Sequence, residues 1–284
     1  MLSLLKQRNF YPLFWVQFLG AFNDNLYKNA LVMLITFKLS HTAEQTGLLI
    51  TLAAGLFILP FFIFSSLAGQ IADRYSKTLL VKKIKLAEIL IMATGAIALY
   101  SQDLFLLFLT LFLMGSQSAF FGPIKYALLP ELLSRNRLMQ GNSLFSGSTF
   151  IAILLGTIGG GLGILMQGGE QIMGVLIIVV AIVGWVFSLL LSSTTSGDKK
   201  LVINWNIASS TWSMVKQSTH HLLALFSIIS ISWFWFIGAT LLSQIPALVK
   251  YDLAANDNVV VLFLTLFSVG IAMGSALVSK LMQG

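Results

Sequence analysis

The chain has no cysteine among its 284 residues, five prolines, and only 10 acidic side chains. Without thiols there are no disulfides and no thiolate metal sites. Charged residues of both signs make up 10% of the chain against 57% hydrophobic, and the mean hydropathy is +0.90. A soluble domain of this length has too small an interior to hide that much apolar surface. Apolar runs of 18 or more residues recur instead, the pattern of membrane-spanning helices, which makes this an all-α membrane protein. The net charge of +7 is not accompanied by a basic helix or an aromatic stacking platform, so nucleic acid is not an expected partner.

Groups for covalent chemistry are also scarce. His41, His220 and His221 sit at helix ends without organised carboxylate partners, and no phosphate loop, HExxH or nucleophile–base set is present. The expectation is a segment with no catalytic residue, no metal and no cofactor. The first apolar run follows Lys6 and Arg8. It is too long for a signal-peptide core and lacks a small-residue cleavage site, so it reads as a retained first helix.

Eight spans are expected, at roughly 10–37, 46–70, 79–100, 104–125, 142–167, 170–192, 219–243 and 259–282. Short connections make most neighbours antiparallel. The exception is 193–217, Ser/Thr-rich and basic, with Trp205 and Trp212, which reads as a cytoplasmic linker with an interfacial stretch. The expected organisation is therefore 1–192 as a six-helix half, 193–217 as the linker, and 218–284 as the first two helices of a second half. "WVQFLGA" (15–21) in the first helix matches "WFWFIGA" (233–239) in the seventh at Trp, Phe, Gly and Ala. Two related halves are the plan of many secondary transporters, and on that plan the second half is truncated here.

Cations set the orientation. With the N-terminus inside, Lys6, Arg8, Arg74, Lys77, Lys82, Lys83, Lys85, Lys125, Arg135, Arg137, Lys199, Lys200, Lys216 and Lys280 fall on or near the cytoplasmic side. Lys38 and Lys250 fall outside, and Lys28 lies within the membrane. The basic excess is topological, and it attracts anionic headgroups of the inner leaflet at about 1 kcal/mol per cation.

Three stretches carry more than topology. The first is "GAFNDNLYKNAL" (20–31), a polar cluster inside an apolar helix. Asp24 lies about 21 Å into that helix at 1.5 Å per residue, near mid-membrane. Asp24 and Lys28 are four residues apart on one face and are expected to pair, and Asn25 and Asn29 repeat the spacing alongside. Ionisable groups at that depth are costly and commonly mark substrate or ion sites, so Asp24, Lys28, Asn25 and Asn23 are candidate binding residues. The second is "GQIADRYSK" (69–77). Gly69 is expected to let two helices approach, Asp73 to face a helix end or an arginine, and Arg74 and Lys77 to anchor a tight turn. The third is "FFGPIKYALLPELL" (120–133), where Pro123 is expected to interrupt the fourth helix with Lys125 at its cytoplasmic end. In the fifth helix, Gly156/Gly160 and Gly159/Gly163 are small-xxx-small pairs suited to close packing.

The loop 69–77 is similar to the loop signature of the major facilitator superfamily, with Ser76 where a glycine is usual. "QFLGAFNDN", "GQIAD", "FGPIKYALLPE" and "NSLFSGSTFIAILLG" together resemble the bacterial lysophospholipid transporter family, in order, over roughly 10–165. That resemblance implies a facilitator fold in the inner membrane that moves lysophospholipids for re-acylation inside. It also implies an acyltransferase or acyl-ACP synthetase as partner or fused domain, and "FNDNLYKNAL" is closer to the fused type. It places the acidic site residue on Asp24 and the basic one on Lys125, and makes Gly69, Asp73, Arg74 and Lys77 a conformational latch. The seventh helix has no arginine; only Ser243 and Gln244 offer polar roles there. Phe14, Phe18, Phe22, Phe57, Phe61 and Phe120 are the expected aromatic wall for an acyl chain. The competing readings are a proton-coupled exporter of drugs or small metabolites with Asp24 as proton carrier, and a non-transporting module that scaffolds an acyltransferase.

The orientation has a direct check. Cysteines introduced at Thr42 and Ser196 are expected to react with impermeant reagents from opposite sides of the membrane; reaction from one side removes the topology.

Overall fold

The computed structural model describes residues 2–193, 197–219 and 222–281; His220 and His221 lie outside the described residues. Among the described residues nine α-helices follow in order: α1 (Tyr11–Leu34), α2 (Ala43–Arg74), α3 (Lys77–Ser101), α4 (Leu104–Leu132), α5 (Leu138–Gly163), α6 (Gly169–Leu189), α7 (Ile207–Thr219), α8 (Leu222–Ala247) and α9 (Asp257–Leu281). No strand occurs among the described residues. Six of the described helices are long and apolar enough to cross a membrane. α1 is also long enough, since its 24 residues span about 36 Å.

Each expected span has its helix. The connections are stopped by local chemistry: Thr42 accepts the Gln45 N–H at the start of α2 and Asp103 accepts the Leu106 N–H at the start of α4. Gly168 holds φ +69° in the turn into α6, a conformation that favours glycine. The fourth helix departs from expectation. It runs through Pro123 and Pro130 to Leu132, so Lys125 lies inside α4 and not beyond its end. Proline removes one backbone hydrogen bond, but between packed membrane helices the alternative of exposing a whole unwound turn costs more.

α1 is the central element, packed against α5 and α6, while α2 packs on α4 and α3 on both α4 and α6. Glycines set the α1–α5 distance. A Cβ on Gly156 would stand 2.6 Å from the Phe22 carbonyl oxygen, and one on Gly160 would collide with the Leu26 carbonyl. The small-residue spacing therefore does what it predicts. At Gly69, by contrast, nothing among the described residues lies within 4 Å of a Cβ, so this glycine mediates no close helix approach here.

The two loop ends of the bundle are tied differently. At the α1–α2 end, α1 and α8 each finish in a π-helical turn, Ile35–Leu39 and Leu248–Asp252. Lys250 donates to the carbonyls of Thr36 and Ser40, and the Tyr251 hydroxyl lies 2.9 Å from that of Thr46. Lys38 pairs with Glu170 at 2.6 Å, and Gln102 donates to the same carboxylate. At the other end the linker docks on α2: the Asp198 N–H bonds the Asp73 carbonyl at 2.9 Å, the Asn204 N–H bonds Gln70 Oε1 at 2.8 Å, and Ile203 is buried. α7 follows, with Trp205 exposed just before it and Trp212 exposed on it, in keeping with an interfacial stretch.

Gly160→Leu is expected to force α5 off α1. A loss of at least about 1–3 kcal/mol should appear as a lower thermal unfolding midpoint in detergent, whereas the same change at Gly69 should leave the midpoint near wild type.

Candidate functional site

The buried apolar side chains form two clusters. One gathers Leu4, Phe10, Leu13, Val81, Leu128 and Phe145 toward the linker end, and the other gathers Leu26, Leu31, Met92, Leu107, Met114 and Ile177 toward the α1–α2 end. Between them the same helices turn polar. α1 contributes Gln17, Asn23, Asp24 and Asn25, α3 contributes Lys85 and Glu88, and α4 contributes Gln117 and Ser118. The candidate site is built in this layer.

At its centre Lys85 and Glu88 form an ion pair of 2.5 Å, with side chains 0% and 2% exposed. Glu88 Oε2 also accepts from Gln117 Nε2 at 3.2 Å, and Oε1 accepts from Asn23 Nδ2 at 3.3 Å. Asn23 also donates to the Ile177 carbonyl on α6 at 3.1 Å. The Lys85 ammonium lies against Gly20, where a Cβ would stand 2.5 Å from Nζ, and 5.0 Å from the Phe121 ring centroid. Positive-inside reasoning places Lys85 on or near the cytoplasmic side; the structure shows that its side chain is buried in the bundle. The neglected signal was Glu88, a carboxylate deep in a spanning helix that needs a cation one turn away.

Asp24 faces α4. Ser118 Oγ donates to its Oδ2 at 2.6 Å, while Oδ1 is buried with no hydrogen-bond partner among the described residues. The expected Asp24–Lys28 pair does not close: no ion pair joins them among the described residues. One residue on a helix is a rotation of about 100°, and with Asn23 held by α3 and α6, Asp24 turns to α4. Lys28 turns instead into a cavity of about 260 Å³ between α1, α2, α5, α8 and α9. Its Nζ stands 5.6 Å from the Phe57 ring centroid and has no acceptor within reach among the described residues. Lys125 is in the same condition, facing the rings of Phe121 and Tyr126 at 5.8 and 5.3 Å.

The cavity is amphipathic. Asn25, Lys28, Asn29 and Thr157 form a polar wall on α1 and α5, with Asn29 Nδ2 donating to Thr157 Oγ1 at 3.1 Å. Ser268 adds one hydroxyl from α9. The walls from α2 and α8 are apolar, with Phe57, Phe234, Trp235 and Leu242. Of the six expected aromatic residues only Phe57 lines this space. Phe14 and Phe18 stack on each other and Phe120 on Phe64, because their helix faces turn toward neighbouring helices. Asp24 and Lys125 are not among the lining residues, so the predicted set divides into a cavity group and an α1–α4 group.

The loop residues come together only in part. Lys77 pairs with Glu131 of α4 at 2.7 Å, and the Arg74 guanidinium stands 5.6 Å from the Tyr75 ring centroid. Asp73 is exposed; its carbonyl, not its carboxylate, carries the contact with the linker.

The profile of the Major Facilitator Superfamily matches residues 13–283. The lysophospholipid transporter LplT of Escherichia coli strain UTI89 is 27% identical over 285 aligned residues, covering 93% of this chain. That of Escherichia fergusonii is 26% identical over 276. The chain spans 64% of the length of these relatives. Among solved structures, a POT family transporter in complex with a thioalcohol-conjugated peptide superposes with a TM-score of 0.54 at 17% identity, over 85% of this chain and 51% of that one. The same family's complex with 5-aminolevulinic acid gives 0.53 at 17% identity, with the same coverage. With α1–α6, a linker, and two further helices matching that superfamily along almost their whole length, the chain belongs to the Major Facilitator Superfamily.

Proposed function

We propose that this chain forms the substrate-binding part of a secondary transporter that moves lysophospholipids across the bacterial inner membrane by alternating access, for re-acylation on the cytoplasmic side. The observation that carries the reading is a pair of intramembrane lysines without acceptors among the described residues. Lys28 opens on an amphipathic cavity, and Lys125 lies one helix away. An ammonium that deep is expensive unless an anion meets it in some state of the cycle. A phosphodiester headgroup supplies that anion, and the apolar walls from α2 and α8 take a single acyl chain. The names of the relatives agree with this substrate. Asn25 flanks the headgroup position in the cavity, Asn23 supports the site from outside it through Glu88, and Asp24 supplies the compensating negative charge when the cavity is empty of anion. The N-terminus is cytoplasmic, the residues 1–192 and 218–284 belong to two transporter halves, and an acyltransferase or acyl-ACP synthetase, separate or fused, consumes the delivered lipid.

In the same reading Gly69, Asp73, Arg74 and Lys77 form the latch, with the linker clamped to the Asp73 carbonyl and Lys77 holding α4. Asp73→Ala leaves the carbonyl clamp in place, so the latch is tested by Lys77→Met, which removes the ion pair to Glu131. A several-fold slower uptake with normal membrane insertion is expected, and wild-type uptake reduces this loop to a topology signal.

The binding residues are tested in the intact protein with radiolabelled lysophosphatidylethanolamine and spheroplasts. Asp24→Asn and Lys28→Met are each expected to lower uptake by roughly tenfold or more, the worth of a hydrogen bond to a charged group, without loss of insertion. Because the two side chains do not pair, the double variant should stay inactive. Restored uptake in the double variant would show a mere neutralising pair, and full uptake by Asp24→Asn alone removes the site.

A further inference from the structure

Glu88 is held by donors from three helices, Asn23 of α1, Lys85 of its own α3, and Gln117 of α4, although it does not line the cavity. The Gln117 bond has a direction. With Nε2 committed to Glu88, the Gln117 carbonyl Oε1 points the other way and comes within 3.2 Å of Ser118 Oγ. Ser118 therefore stands between two acceptors, Gln117 Oε1 and Asp24 Oδ2, with one proton to give, and the Asp24 contact is the shorter at 2.6 Å. The arrangement anchors Oδ2 toward α4 and leaves Oδ1 as the free oxygen of the carboxylate.

We infer that Glu88, charge-balanced by Lys85, is a positioning residue for Asp24, acting through Gln117 and Ser118. The inference rests on the proposed transport function for its activity readout, but its structural content does not. Glu88 fixes which way the Gln117 amide points. Without the Glu88 acceptor the amide is free to rotate and present its N–H₂ to Ser118 Oγ; the hydroxyl proton is then no longer shared between Gln117 Oε1 and Asp24 Oδ2, and the hydrogen bond that holds the carboxylate changes with it. The carboxylate shares this layer with the cations Lys28, Lys85 and Lys125, none of which forms an ion pair with it among the described residues, so the Ser118 hydroxyl is what fixes its rotamer. The Lys85 ammonium against Gly20 and the Asn23 bond to Glu88 hold the α1 backbone one turn below and one residue before Asp24, so the same pair sets both the helix and the side chain.

Removing one member of a buried pair strands the other, so the pair is removed as a whole. The variants are Lys85→Met/Glu88→Leu, Gln117→Leu, Ser118→Ala, and Ser118→Thr, which keeps the hydroxyl. Two measurements are made on the intact protein. The first is lysophosphatidylethanolamine uptake, where the first three variants should lose about tenfold or more and Ser118→Thr should recover most of it. Combined with Asp24→Asn, Gln117→Leu should add no further loss, since both act through one carboxyl. The second is the infrared carboxyl band of Asp24, identified by its absence in Asp24→Asn. It should shift in Ser118→Ala and in Lys85→Met/Glu88→Leu and return in Ser118→Thr. If the wild type takes up no lysophospholipid while the band shifts as stated, the transport reading fails and the positioning role stands. An unmoved band in Lys85→Met/Glu88→Leu, or losses that multiply when Gln117→Leu is added to Asp24→Asn, overturns the inference.

Discussion

A lysine and a glutamate out of reach of water, 2.5 Å apart in the middle of α3, constrain every helix that touches them. Two ions taken out of water are costly, and their attraction offsets that cost only when the remaining donors and acceptors are also satisfied. Asn23, Gln117 and the Gly20 surface meet that demand from α1 and α4. Once Asn23 is committed to Glu88 and the Ile177 carbonyl, the rotation of α1 is fixed. Asp24 must then face α4, and Lys28 and Asn29 must face the cavity and α5. The split of the polar cluster into two groups follows from that one anchor and helix geometry.

The cavity depends on a second constraint, the backbone contact of α1 with α5 at Gly156 and Gly160. It brings Thr157 to Asn29 and makes a continuous polar wall from two helices. α2, α8 and α9 close the remaining sides with apolar surface. One polar wall facing apolar ones is a division made by the packing of whole helices, not by any single residue.

The helices were legible because periodicity plays little part in a lipid-facing bundle: apolar run length, turn chemistry and the α5 glycines were enough. The polar layer was only partly legible. Asp24, Lys28 and their asparagines stood out because α1 carries five polar residues in seven. Lys85 did not, because it continues a run of cations at the start of α3, and sequence gives no sign of where the membrane surface ends and the interior begins. Gln117 and Ser118 lay hidden among small residues. The Asp24–Lys28 spacing was correct as geometry, yet pairing depends on what else competes for each group, and Ser118 is more than 90 positions away in the chain. Pro123 predicts a break by a local rule that neighbouring helices override.

The α1–α2 end of the bundle uses its two lysines entirely on itself: Lys38 on Glu170 and Lys250 on the carbonyls of Thr36 and Ser40. No ammonium at that mouth is left to attract an approaching phosphate among the described residues. The first unengaged cation along α1 is Lys28, ten residues or about 15 Å deeper. On the proposed lysophospholipid reading, entry from that side is unsteered: the amphiphile partitions in through its hydrocarbon and meets charge only in the interior, so its arrival rate should be nearly indifferent to ionic strength, unlike that of a charged ligand guided to a basic surface.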